Sequence, residues 1–128
     1  MEPYALVDRS TFPIIVVEFT GHAPTDENFR AYLEALRVGY EEHEALAFVF
    51  DATRATFPPM KYQRMQAAWL KENDNLIRHW CKGTAYVLPN FWVRLALRLI
   101  FLMQKQPVPL KICPDRGSAR AWAERQLG

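Results

Sequence analysis

Pro13-Ile14-Ile15-Val16-Val17-Glu18-Phe19-Thr20 decides the fold. Four β-branched residues in succession, Ile14 to Val17, suit a strand buried on both faces, the pattern of a parallel sheet covered by helices. Upstream, Tyr4 to Val7 is a short apolar run, and the turn-like Asp8-Arg9-Ser10 fits a hairpin between the two strands. Downstream, Gly21-His22-Ala23-Pro24 ends the strand. Thr25 then caps a helix, with Asp26 and Glu27 in its first turn, where acids complement the helix dipole. Phe29, Tyr32, Leu33, Leu36 and Tyr40 recur at helical spacing and make one apolar stripe, and Glu41 to Glu44 end it.

The same alternation continues along the chain. Ala45 to Phe50 reads as a second buried strand ending at Asp51, with Asp51 to Thr56 as a polar loop at its end. After Pro58 and Pro59, the residues Met65, Ala68, Trp69, Glu72 and Leu76 mark one long helix reaching His79. Gly83 to Leu88 is a third buried strand, and Asn90 caps a helix from Phe91 to about Lys105. Leu110 to Cys113 is the last strand, and Asp115 caps a final helix from Arg116 to Gln126. The order β-β-α-β-α-β-α-β-α gives an α/β fold: a mostly parallel five-stranded sheet with an antiparallel N-terminal strand and helices packed on it. Residues 1–128 are expected to form a single domain, near the commonest domain size.

Composition excludes several classes. Half of the 128 residues are hydrophobic and 13% are aromatic, which excludes a disordered chain. A net charge of +2 offers nothing to a nucleic-acid backbone. The start, MEPYALVDRS, has no basic and apolar leader pattern, and no uncharged apolar stretch is long enough to span a bilayer. Two cysteines, Cys81 and Cys113, make neither a disulfide framework nor a metal pair, and a cytoplasmic setting is expected. If the strands run parallel, these two cysteines sit at opposite ends of the sheet. Glu41, Glu42, His43 and Glu44 point apart as consecutive residues do, so no metal and no cofactor are expected. No nucleophile elbow, phosphate-binding glycine loop or zinc-protease motif is present, so no catalytic residue is assigned.

The ordered set of Phe19-Thr20-Gly21, Thr25-Asp26-Glu27, Phe50-Asp51, Thr84-Ala-Tyr-Val-Leu88 and the closing Ala119-Arg-Ala-Trp-Ala-Glu-Arg-Gln-Leu127 resembles the SpoIIAA-like branch of the STAS family. The resemblance covers nearly the whole chain. It implies a small regulatory domain that acts through protein contacts or a bound small ligand, without catalytic activity. Classical members carry a phosphorylatable serine before the second helix. Here that region reads Thr56-Phe57-Pro58-Pro59-Met60, so the serine switch is absent.

Two regions are candidate contacts. Phe91 to Met103 is apolar nearly all round, broken only by Arg94 and Arg98 at i and i+4. An ordinary surface helix needs an apolar stripe of only about 100°. The surplus face has three readings: core wedged between sheet and neighbouring helices, a homodimer or protein interface, or contact with a lipid or ligand. Trp92, Leu97 and Phe101 would supply the apolar contact, and Arg94 and Arg98 could clamp the acidic end of a small amphipathic ligand. The second region is Thr53, Arg54 and Thr56, at a strand C-terminus where open α/β sheets bind ligands. There the competing reading is that Asp51 and Thr53 simply satisfy loop backbone groups. The expected function is a protein-interaction or regulatory module, with a carrier or sensor of a small amphipathic or lipid-like anion, possible at a membrane surface, as the alternative.

Overall fold

The computed structural model describes residues 2–95, 98 and 107–128. Five strands form one sheet in chain order: β1 (Ala5–Asp8), β2 (Ile14–Phe19), β3 (Leu46–Asp51), β4 (Cys81–Val87) and β5 (Leu110–Cys113). β1 runs antiparallel to β2, and every other pairing is parallel. The β-branched run therefore sits where it was expected, and Ile14 to Val17 are all buried.

Strand order that follows chain order has a geometric consequence. Crossovers between parallel strands are right-handed, and when each advances the sheet in the same direction they all pass over the same face. On that face lie helix α1 (Asp26–Val38) and the pair α2 (Met60–Glu72) and α3 (Asp74–Trp80). The last helix, α4 (Arg116–Leu127), connects no strands and covers the opposite face, where Ala119 and Ala123 pack on Val16, Val49 and Ala85.

Helix starts follow the local chemistry read in the sequence. Thr25 caps α1 by accepting from the Asn28 N–H at 3.0 Å, and the Asn28 side chain accepts from the Thr25 N–H at 2.7 Å. Asn28 is itself buried and donates to the Glu2 and Ala23 carbonyls, so it ties the N-terminal segment to the helix. Asp115 caps α4 by accepting from the Ser118 N–H at 2.8 Å. Tyr40 belongs to a short 3-10 turn, Gly39–Glu42, which ends at His43 in the left-handed region with φ 51°.

Two boundaries differ from the sequence reading. The single helix expected through His79 is two helices, broken at Asn73 with φ −104° and ψ 14°. Asn73 Nδ2 and its backbone N–H both donate to the Trp69 carbonyl, a side-chain bond that competes with helix continuation. β4 also starts at Cys81, two residues earlier than the sequence suggests, paired to Leu46 across a register irregularity. Residues 91–95 are helical, as read, and most of the remaining expected third helix lies outside the described residues. Cys81 opens β4 while Cys113 closes β5 opposite Val87, so parallel pairing sets them roughly 20 Å apart along the strands. Both are buried and free.

Candidate functional site

Side chains alternate across a strand, so Phe48 and Phe50 of β3 point to the face carrying α1, α2 and α3. Parallel register sets Tyr86 of β4 directly beside Phe50, and Phe19 closes the row from the end of β2. The rings are nearly parallel: Phe50 lies 5.1 Å and 18° from Tyr86, 5.5 Å and 19° from Phe48, and 6.1 Å and 15° from Phe19. Opposite this row, α1 contributes Phe29 and Tyr32, which cross each other edge-on at 5.4 Å, and Tyr4 of the N-terminal segment packs against both.

Helix α2 stands over the rings without settling into them. It has no buried residue, although Tyr62, Met65 and Trp69 turn inward at helical spacing and pack against the core edge. Between α2, α1 and the aromatic side of the sheet lies a cavity of about 700 Å³, within the size range of small-molecule sites. All five tyrosines of the chain line it, and ten of the described lining residues are aromatic.

Among the described residues, the polar groups that line this cavity are mostly uncharged. The Tyr32 phenol meets the Gln66 side chain, and the Tyr40 phenol meets Cys81. Burial pushes the Tyr32 and Tyr40 phenols far above their ordinary range and Tyr86 up to about 12, and it raises the Cys81 thiol as well. Removal of water disfavours each charged form, so these groups stay neutral at physiological pH. The charged lining residues, Lys71, Asp74 and Arg78, sit together where α2 meets α3, and Arg78 Nε donates to Asp74 Oδ2 at 2.8 Å. At the other end of α2, Asp26 accepts from Lys61 Nζ at 2.7 Å and from the Tyr62 hydroxyl at 3.0 Å. These contacts fasten α2 to the start of α1.

The residues singled out from the sequence lie elsewhere. Arg94 Nη1 donates to the Leu88 and Pro89 carbonyls at 2.8 and 2.6 Å, so its head closes the end of the strand segment before its own helix. Arg98 Nη2 reaches the Ile112 carbonyl at 3.4 Å. Trp92 is 73% exposed, with Phe91 and Val93 beside it also exposed. Leu97 and Phe101 lie outside the described residues.

At the C-terminal end of the sheet, Thr53 Oγ1 and its N–H donate to Asp51 Oδ1 at 2.6 and 3.0 Å, the loop-satisfying arrangement. Arg54 pairs with Glu18 at 3.1 Å. Arg116, at the start of α4, bridges Glu18 and Asp51. Burial alone would raise the Asp51 carboxyl, but bonds from Thr53 and Arg116 hold it below its ordinary value. Two arginines and two carboxylates here neutralise one another. Thr56 is exposed and stands apart from this cluster. None of the described candidates lines the cavity.

Among the described residues, no group of three or more His, Cys, Asp or Glu side chains could hold a metal ion. Nor is any helix of those residues long and apolar enough to cross a membrane.

The cavity was missed because its residues read as core, which they also are. The usable signal was composition by position. Phe48, Phe50 and Tyr86 fall on one strand face, Phe29, Tyr32, Leu36 and Tyr40 fall on one helix stripe, and tyrosine recurs throughout. Buried tyrosine needs partners for its hydroxyl, so a face rich in it is rarely a plain hydrocarbon core.

No family model matches this chain, and no curated protein does. Its structure is similar to the crystal structure of an uncharacterized protein from the DUF3478 family with a SpoIIAA-like fold, from Shewanella loihica PV-4. The TM-score is 0.70 at 14% identity, over 93% of this chain and 91% of that one. The fold is thus SpoIIAA-like, as the sequence resemblance implied, and at that identity the likeness speaks to fold alone.

Proposed function

We propose that this chain is a non-enzymatic binding module that carries or senses one small, largely apolar molecule in the cavity beneath α2. The observation that supports the reading is the cavity of about 700 Å³ itself, roofed by a helix that buries none of its own residues. Close packing is the rule in protein interiors, and an aromatic space of this size left open is the usual form of a ligand site. The neutral interior favours a ligand whose buried part carries no charge. The charged cluster of Lys71, Asp74 and Arg78 favours a polar end at the rim.

A second reading rests on a different surface. Phe91, Trp92, Val93 and Leu95 are all exposed within residues 91–95, and contiguous exposed apolar side chains mark contact surfaces. A homodimer or protein partner would cover them. Two buried free cysteines without a disulfide favour a cytoplasmic setting.

Native mass spectrometry of freshly purified protein tests both. A discrete adduct of small-molecule size, lost after organic extraction and regained on adding the extract, is the expected result for the carrier. A mass of two chains that reverts to one in Trp92→Glu supports the interface reading. Bare single chains that take up no apolar probe would overturn both.

A further inference from the structure

Resting on the cavity reading, we infer that the ligand is a flat aromatic compound, uncharged in its buried part, rather than an alkyl chain. Among the described residues, ten aromatic ones line the space against five aliphatic ones, Leu36, Leu70, Ile77, Val108 and Leu110. An alkyl chain gains only from burial of its surface, and aliphatic walls serve it as well as rings do. An aromatic guest gains additionally from the ring quadrupole, by stacking against parallel rings or meeting tilted ones edge-on.

The cavity offers both geometries on opposite walls. The sheet presents Phe19, Phe50, Phe48 and Tyr86 with neighbouring planes within 20° of each other. The α1 wall presents Phe29 and Tyr32 at 69° to one another, and Tyr62 of α2 tilts at 40° against Phe29. Tyr32 stands at 62° to Phe19, so a guest ring parallel to the sheet row meets Tyr32 at a steep angle, which combines both preferred arrangements. Among the described residues, Lys71, Asp74 and Arg78 are the only charged ones that line the cavity, and they share one rim. A sulfonate, carboxylate or phosphate on the ligand belongs at that rim, and the ring system belongs inside.

The test uses the full chain and the neutral fluorescent probe N-phenyl-1-naphthylamine. It should bind one per chain, with blue-shifted emission and quenching of Trp69, which lines the cavity. 2-Naphthol should displace it at concentrations at least about tenfold below those needed with 1-dodecanol, reflecting several ring contacts. Trp69→Leu, on a helix without buried residues, should weaken the probe about tenfold and leave the thermal midpoint little changed. Phe50→Leu should weaken the probe likewise, at some cost in thermal midpoint because Phe50 is buried, with circular dichroism checking for an intact fold. Displacement by dodecanol equal to or better than by naphthol overturns the aromatic assignment and leaves the cavity reading standing. Unchanged probe affinity in both variants places the probe outside the cavity and overturns the assignment. Failure of every probe, aromatic or alkyl, overturns the binding reading as well.

Discussion

The two faces of the sheet carry different kinds of packing. On the α4 face the contacts are small and close: Ala47, Ala85, Ala119 and Ala123 have no exposed surface at all. Gly83 shows how close. A Cβ at that position would stand 2.8 Å from the Trp122 ring and 3.1 Å from Gln126 Cγ. On the other face large rings project from sheet and α1, and α2 rests against their edges. One residue along β4 from Gly83, Thr84 faces the cavity instead. Small side chains let a helix approach until no space is left. Large rings of fixed shape hold it off and leave room among them.

The largest effect should come from overfilling the tight face. Ala123→Leu is expected to cost about 3 kcal/mol in urea denaturation, since the extra carbons have nowhere to go. Gly83→Ala follows, at about 1–2 kcal/mol, with the strain falling on the Trp122 ring. Trp122 fluorescence should report the shift.

Asp26→Asn acts on the fastening between α2 and α1 and should lower the thermal midpoint by less than either. Hydrogen bonds from Lys61 and Tyr62 hold the Asp26 carboxyl below its ordinary value of 3.8. Its stabilising contribution is then present above that value and is lost as pH falls through the lowered one. Wild type and Asp26→Asn should therefore differ at pH 7 and converge in acid, and a constant difference down to pH 2 would show that the fastening contributes nothing. The smallest effect is expected from Thr84→Leu, within about 0.5 kcal/mol, because the added carbons enter open space. If Thr84→Leu costs as much as Gly83→Ala, the two faces pack alike and the contrast fails.

Much of this architecture is legible in the sequence. Strand identity is carried by local runs such as Ile14 to Val17, and helix starts by single residues such as Thr25 and Asp115, whose caps formed as read. The break at Asn73 was not legible, because the apolar spacing from Met65 to Leu76 continues straight through it. Only a side-chain bond back to Trp69 marks the corner. The candidate residues went to Arg94, Arg98, Thr53 and Arg54 because charge and hydroxyl groups stand out in a sequence. In the fold Arg94 and Arg98 close off backbone carbonyls, and Thr53 and Arg54 pair with Asp51 and Glu18. The cavity is written in no single residue. It results from how far several rings, each an ordinary core residue by pattern, keep α2 from the sheet.

The sequential strand order also bears on how the chain is made. Each strand emerging from the ribosome finds its pairing edge on the strand synthesised just before it, so the sheet can grow outward without waiting for distant segments. The aromatic face is roofed as that growth proceeds, since its helices are the connections themselves. The alanine face stays bare until α4, which follows all five strands in the chain, docks on it. A nascent chain stalled after Cys113 would present Ile14, Val16, Val49 and Val87 to water. Docking of α4 is therefore the step that ends its exposure to chaperones and to other nascent chains.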